Sequence, residues 1–452
     1  MRLVVTGGGI AGLAGARAAR REAGAAGITL DITLMESADR LGGKIRTDVV
    51  DGLPLESGPD SFVAAKPRGR ELAVELGLGS ELVAPAPAAR RTYLLREGKL
   101  LALPQGLVMG VPNGPKAILD SARHGILSPA VAARVALEPV LPGAPDLRGS
   151  AAAVARDRLG REASRALVEP LVRGVFGTSA DRTGAEWAFP WARGRRSLVL
   201  AAAAHPRPAG SPFLGIRAGM SRLVEALRGE LVDVDVRTGC PVESINRSGG
   251  ALAVTTKDGP VRADAVLVAV PAPAAARLLQ PVAPDTARQL ASIDYSASAV
   301  ILLRFPEASL GRALDGSGYL TALGEGGVVA ACSNLPAKWP HLSASAGVWL
   351  RAFVVDDEAL ALPDEGLKHR VALDVGVAVG AHGGADDVRL SRWLEALPIY
   401  GPAHARTMAA ARATLPPGLA LAGAYLDGVG IPDCARMGES AARDLVRALA
   451  AS

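Results

Sequence analysis

The sequence predicts an α/β protein in which a Rossmann-like domain is interleaved with an α+β domain and a mostly helical insert. Three observations lead there. The chain opens with a short apolar strand, a glycine-rich turn and an Ala-rich helix. A second strand ending in a carboxylate follows within 36 residues. Strand and helix signals then recur in the middle of the chain and again in its last fifty residues.

In order, Leu3 to Thr6 reads as a buried strand, Leu13 to Ala23 as a helix and Ile28 to Glu36 as a second strand, which makes one βαβ unit. Ser37 to Ser61 is Gly-rich and polar. Leu72 to Gly210 reads as mostly helical, with a short connection from Arg207 to Arg217. Gly219 to Leu223 opens a further helix. Strands are expected at Val232–Thr238, Leu252–Thr256 and Ala265–Val270, and a second sheet at Tyr295–Phe305 and Val348–Val355. The tail reads as a strand, Leu419–Ala422, and a helix, Glu439–Ala450. Neither an internal repeat nor a low-complexity linker is evident. The expected division is a discontinuous dinucleotide domain (1–70, 218–290 and 395–452), a substrate domain (71–110 and 291–394) and a helical insert (111–217).

Composition removes several function classes. The net charge of +5 over 452 residues is too dilute for a nucleic-acid surface. Three cysteines lie far apart and six histidines form no metal-ligand spacing, so neither a disulfide framework nor a metal site is expected. The first residues enter a strand directly, so no signal peptide is expected and the chain reads as cytoplasmic. The longest uncharged stretch, Leu100 to Pro115, is broken by Pro and Gly and cannot span a bilayer. A mean hydropathy of +0.23 leaves peripheral membrane contact by the helical insert open.

The chemistry sits in two stretches. Gly7, Gly9 and Gly12 form GxGxxG with Ile10 and Ala11 between strand and helix. The first glycine permits the turn, the second lets a pyrophosphate approach the backbone, and the third lets helix and strand pack. The helix N-terminus adds free N–H groups for the anion. Glu36, 24 residues past Gly12, ends the second strand where a carboxylate accepts from ribose hydroxyls and repels a 2′-phosphate. The run Glu36-Ser37-Ala38-Asp39-Arg40-Leu41-Gly42-Gly43-Lys44 follows. The tail Gly423-Ala424-Tyr425-Leu426-Asp427-Gly428-Val429-Gly430-Ile431-Pro432-Asp433-Cys434 is rich in small residues that let a backbone lie against a flat ring.

The run from Glu36 to Lys44 resembles the FAD-dependent amine-oxidase-like superfamily, which carries E-x(3)-R-x-G-G-[RK] there. The resemblance implies FAD, with Arg40 and Lys44 near its phosphates and Gly42 and Gly43 along its ribityl chain; in the tail Gly428, Val429 and Gly430 would lead into a helix whose N-terminal end faces the flavin, with Val429, Gly430 and Ile431 among the cofactor contacts. Further segments narrow it: Gly58-Pro59-Asp60-Ser61-Phe62, Leu103 to Pro112, Glu169 to Phe176, Lys338-Trp339-Pro340-His341 and Leu397 to His404. In this order they resemble the oxygen-dependent porphyrinogen oxidases of haem biosynthesis, most of all the Gram-positive, actinobacterial type.

The resemblance implies oxidation of coproporphyrinogen III to coproporphyrin III, a six-electron aromatisation with O2 as acceptor and H2O2 as by-product. It also implies transient contact with a haem-pathway ferrochelatase. Gly58, Pro59, Asp60 and Ser61 would flank the flavin. Asp60 is the catalytic candidate, or a cap of the Gly-Pro-Asp-Ser turn. Arg91 is the candidate clamp for a substrate carboxylate, or a surface charge. Val175 and Phe176 would line the substrate wall or pack in the core. Val242 would contact adenine through its main chain, and Trp393 would be a cofactor-edge or core aromatic. His404 is expected to pack against the dinucleotide domain. The run Phe176-Gly177-Thr178-Ser179-Ala180-Asp181 departs from the family's usual continuation. Alternatives are a protoporphyrinogen IX oxidase, another flavin amine oxidase or desaturase, and a flavin-binding partner of the haem pathway without turnover.

Overall fold

The computed structural model describes every residue except 207–209, 313–314, 344–346 and 452, so part of the connection from Arg207 to Arg217 lies outside the described residues. It contains two compact units. The first comprises Met1–Ala84, Ser211–Asp294 and Ala405–Ser452, and the second Pro85–Gly210 and Tyr295–His404.

The first unit is built on a five-stranded parallel sheet. Its strands are Arg2–Thr6, Asp31–Met35, Val234–Arg237, Ala265–Val268 and Leu419–Leu421, lying in the spatial order 3-2-1-4-5. Leu3, Val4, Val5 and all of Ala265–Val268 are buried, the continuous apolar pattern of a parallel strand covered on both faces. The chain runs outward from the first strand to the third, then returns to the first strand's other side. The order therefore reverses between Arg2–Thr6 and Ala265–Val268, the position where open α/β sheets leave a crevice at the carboxyl ends of their strands.

Helices Ile10–Ala26 and Ile431–Ala450 pack on this sheet and on each other. Small residues let them touch main chain to main chain. A Cβ on Gly438 would fall 2.0 Å from the Ala11 carbonyl oxygen, and one on Gly15 would fall 2.5 Å from Leu267. A chain of ion pairs ties these helices to two others. Arg17, 4% exposed, bonds Glu230 at 2.6 Å and Glu75 at 2.7 Å. Arg68 bonds Glu75 and Glu439, each at 2.6 Å.

The second unit holds a seven-stranded sheet ordered Asp387–Pro398, Tyr295–Phe305, Val348–Val354, Val329–Asn334, Gly318–Thr321, Tyr93–Arg96, Lys99–Ala102. All its pairings are antiparallel except Gly318–Thr321 with Tyr93–Arg96. Helix Asp364–Val379 covers one face, placing Leu367, Val371, Val375 and Val379 against Ile301, Leu303, Leu350 and Ala352. Residues 111–204 fold as short helices around a separate core that includes Leu167, Phe189 and Leu198. Ser128, Ser150 and Ser197 cap three of these helices through their hydroxyls. The fully buried Glu138 carboxylate gathers Arg158 at 2.8 Å, the Ser197 hydroxyl, and the Leu198 and Val199 N–H groups at 3.0 and 3.2 Å.

Helices do dominate 111–204, but the preceding segment is not helical. Tyr93–Arg96 and Lys99–Ala102 form a hairpin turned by Glu97-Gly98, and Leu107–Val108 and Val111–Pro112 form another turned by Met109-Gly110. Both turns have two successive residues at positive φ. Asp51-Gly52 turns a third hairpin, Thr47–Val50 with Leu53–Glu56, inside the stretch read only as Gly-rich and polar. Two-residue turns of this type match the twist of paired strands, and X-Gly is their sequence signal. The closing helix starts at Ile431, eight residues before the expected Glu439, because Gly430 serves as its N-cap and Pro432 occupies its first turn.

The unit boundaries also differ from the expected division. The helical insert shares one unit with the sheet. Residues 71–84 join the first unit through the Glu75 ion pairs. Residues 395–404 join the second, where Gly184 N–H donates to the Tyr400 carbonyl at 2.7 Å. His404 stacks on Tyr400 with ring centroids 4.1 Å apart.

Candidate active site

In the first unit, the expected cofactor residues gather at the carboxyl ends of the parallel strands. Gly7 follows the first strand at φ +98° and donates to the Met35 carbonyl at 2.7 Å. A Cβ on Gly7 would fall 2.6 Å from the Ala269 carbonyl, and one on Gly12 would fall 1.9 Å from the Gly7 carbonyl. Those two glycines are required by the protein's own packing. Gly9 is different: a Cβ there meets nothing within 4 Å. Gly9 is also the N-cap of Ile10–Ala26, with Ile10 and Ala11 buried behind it. The helix N-terminus thus has no side-chain cap and open space beside Gly9, the arrangement an anionic pyrophosphate needs.

Glu36 is fixed beside this cradle. One carboxylate oxygen accepts from Gly8 N–H at 2.6 Å, and the other from Ala38 N–H at 2.8 Å and the Ser37 hydroxyl at 3.1 Å. A carboxylate offers about four acceptor positions, so capacity for a ribose hydroxyl remains. The Glu36 backbone is held in turn by the Arg237 carbonyl and by Cys240 N–H, each at 2.9 Å. That brings the start of strand Val242–Ser248, irregular between Val242 and Ser244, alongside the carboxylate segment.

Gly42 N–H donates to the Gly8 carbonyl at 2.8 Å, which lays the Arg40–Lys44 loop along the glycine turn. Gly42 and Gly43 both have positive φ, and a Cβ on Gly43 would approach Gly9 Cα at 3.4 Å. Arg40 folds inward and donates to the carbonyls of Gly43 at 2.6 Å and of Leu41 and Ile45 at 3.2 Å. Burial, with Arg46 nearby, lowers its pKa. Its guanidinium shapes the loop, and it also lines a cleft of about 740 Å³ with Arg46, Ser221, Val224 and Glu225. Neither Gly9 nor Glu36 lines that cleft.

Gly58 packs on Lys44, where a Cβ would fall 1.9 Å from the Lys44 carbonyl. Pro59, Asp60 and Ser61 follow, half-buried, and the Ser61 hydroxyl donates to Asp60 at 2.8 Å. From the other end of the chain, Ala422 N–H donates to the Val268 carbonyl at 2.9 Å, and Gly423 turns at φ +140°. Gly428, Val429 and Gly430 then lead into the closing helix at Ile431. Cys434 is buried in its first turn, and burial pushes its thiol up to about 12.

The remaining candidates lie in the second unit. Arg91 is exposed and paired with Asp315, which also accepts from the Tyr93 hydroxyl. Val175 is 51% exposed, while Phe176 packs against the helical core. Strand Gly318–Thr321 relates them: Tyr93–Arg96 pairs with it, and a Cβ on Gly174 would approach Leu320 at 3.1 Å. Gly177 ends the Val175–Phe176 helix in the left-handed conformation. Trp393 pairs with Ser298 at an irregularity of the edge strand. The sequence reading singled out neither Lys66 nor Asp433, which form an ion pair at the head of the closing helix. Only the Ile-Pro-Asp-Cys run pointed there. Among the described residues no group of His, Cys, Asp or Glu has the geometry to hold a metal, and no helix is long and apolar enough to cross a membrane.

The model for flavin containing amine oxidoreductases matches residues 10–446. The chain belongs to this family. It is a flavoprotein oxidoreductase whose cofactor is FAD. It is 31% identical to the coproporphyrinogen III oxidase of Bacillus subtilis, over 98% of this chain and 97% of that protein. It is 35% identical to the coproporphyrinogen III oxidase of Mycobacterium bovis, over the same shares of both chains. The human protoporphyrinogen oxidase is 27% identical over 97% of each chain. A crystal structure from Exiguobacterium sp. 255-15, assigned to the protoporphyrinogen oxidases, superimposes with a TM-score of 0.86 at 30% identity, over 100% of this chain and 98% of that one. Cyclohexylamine oxidase from Brevibacterium oxydans, 17% identical over 99% of each chain with a TM-score of 0.70, shares the fold.

Proposed function

We propose that this protein oxidises coproporphyrinogen III to coproporphyrin III in haem biosynthesis, with three O2 reduced to three H2O2 for the six electrons and six protons removed. The observation that carries this reading is the end-to-end similarity, at 31% and 35% identity, to proteins named coproporphyrinogen III oxidase. Bound FAD supplies the two-electron chemistry, and the protein contributes position and exclusion of water.

The cradle fits that cofactor. Gly7, Gly9, Ile10, Ala11 and Gly12 would receive the pyrophosphate, Glu36 and Ser37 the ribose, and Val242 the adenine by its main chain. Arg40, Gly42, Gly43 and Lys44 would follow the chain towards the ring. Gly58, Pro59, Asp60 and Ser61, with Gly423, Val429, Gly430 and Ile431, would flank it, and Trp393 would stand at its edge. The open space at Gly9 beside the fixed Glu36 carboxylate supports this assignment. The first unit would be the FAD domain and the second the substrate domain. Asp60 would take or orient a pyrrole proton, Arg91 would bind a substrate carboxylate once freed from Asp315, and Val175 with Phe176 would contact the macrocycle. A cytoplasmic enzyme making peripheral membrane contact through the helical region, and passing its product to a ferrochelatase, completes the proposal.

Side-by-side kinetics on the two porphyrinogens, read by porphyrin fluorescence, test it. Coproporphyrinogen III should give the higher kcat/KM. Preference for protoporphyrinogen IX would reassign the substrate, and turnover of neither would end the proposal.

A further inference from the structure

We infer that Lys66 and Asp433 form a positioning pair that couples the two chain segments proposed to flank the flavin and sets the local charge there. This rests on the flavin-site reading above.

The Lys66 ammonium donates to Asp433 across 367 residues of sequence. Asp433 belongs to the first turn of the closing helix, and its side chain is only 11% exposed. The same carboxylate oxygen accepts from Gly430 N–H at 3.3 Å. Gly428, at φ +137°, presses so closely on this carboxylate that a Cβ there would fall 2.5 Å from its carbon. Asp433 is thus the inner wall of the 428–430 turn, and its position sets that turn's shape.

Lys66 supplies the matching constraint from the other side. It is the N-cap of Pro67–Glu75, four residues after Phe62, and its N–H donates to the Val63 carbonyl at 3.1 Å. The segment Gly58–Ser61 runs directly into the short strand Phe62–Val63. Close packing backs the pair: a Cβ on Gly69 would fall 2.6 Å from Phe62 and 2.8 Å from Pro432. Farther along the same seam, Arg68 bonds Glu439 at 2.6 Å. The Lys66–Asp433 pair therefore stands where both flanking segments are anchored, whereas Arg68–Glu439 lies deeper along the helices.

Opposite charges at one place give a signature that a packing role alone does not. Reduction adds negative charge to the flavin, which a neighbouring cation favours and a neighbouring anion opposes. Lys66→Met removes the cation and leaves the Asp433 carboxylate. It should lower the flavin midpoint potential and weaken FAD binding about tenfold, as a mostly buried carboxylate loses its partner and reshapes the turn. Asp433→Asn keeps the shape and should raise the potential. Lys66→Met/Asp433→Asn should return it towards the wild-type value, and Lys66→Arg should retain both affinity and potential. Arg68→Met, on the same seam, should lower Tm without moving the potential.

The measurements are FAD titration by fluorescence quenching and spectroelectrochemical potentials of the holoproteins. Potentials that stay at the wild-type value in both single variants, or that shift in the same direction, overturn the inference. Wild-type protein that fails to bind FAD overturns the flavin site itself, so the two failures are distinct.

Discussion

Gly9 offers the sharpest test of how this fold binds its cofactor, because its role differs from that of its neighbours in the same motif. It caps the first helix at φ −72° and ψ 178°, a conformation open to any residue. A Cβ built there meets no atom within 4 Å. Gly9→Ala should therefore cost at most about 1 kcal/mol, the usual penalty for an apolar N-cap. In a unit of this size that is roughly 2–4 °C in Tm. The added methyl would occupy the space proposed for the FAD pyrophosphate. Two charge-assisted hydrogen bonds at about 1.5–3 kcal/mol each would be lost, so FAD should bind at least about 100-fold more weakly. Gly12→Ala is the converse: its Cβ would lie 1.9 Å from the Gly7 carbonyl, so the backbone must move and Tm should fall clearly. Gly24→Ala, in the same helix and also open, should leave FAD unaffected and raise stability by about 0.5–1 kcal/mol. Flavin absorbance of the purified proteins, FAD titration and thermal unfolding decide the matter. A Gly9→Ala protein that binds FAD within threefold of wild type would refute the reasoning.

Four further outcomes are expected. Glu138→Ala strands the buried Arg158 and uncaps the Leu198 helix, and should cost about 3–5 kcal/mol in thermal or denaturant unfolding. Hydrogen bonds from Arg68 and then Arg17 hold Glu75 at about 2, below its ordinary 4.5. The resulting stability is full above pH 4.5 and lost as pH falls from there towards 2. Glu75 is 36% exposed, which shrinks the effect, and Glu75→Gln should flatten the dependence of Tm on pH in that window. All three cysteines are buried, with Cys332 and Cys434 pushed up to about 12 by burial. A thiol reagent should label almost none in the native protein and three after unfolding. Arg91→Ala should raise KM for coproporphyrinogen III while kcat stays within about twofold; an unchanged KM would leave Arg91 with Asp315 alone.

The parallel sheet and its glycine turn were legible because each signal is local. Apolar runs, GxGxxG and a strand-end carboxylate lie within 36 residues, and Gly7 and Gly12 serve the turn and the helix–strand packing that the motif requires of them. The hairpins turned by Asp51-Gly52, Glu97-Gly98 and Met109-Gly110 carried equally local signals, but their strands are too short to alternate convincingly. Strand Asp387–Pro398 was hidden for another reason: it is an edge strand crowded with charged residues, and partners far along the chain define it. The inward turn of Arg40 and the capture of Arg91 by Asp315 escaped as well. Residue type alone does not say whether a guanidinium serves its own loop, a distant carboxylate or a ligand. Lys66 and Asp433 meet only through tertiary structure, and no window of sequence contains both.

The contact of Ala11 with Gly438 has a bearing on biosynthesis. The first helix is translated well before the surface that seals it and well before the fifth strand of its sheet. The nucleotide cradle therefore cannot mature until both have been made. Any stop codon before Leu419 would yield a polypeptide missing both that strand and that helix.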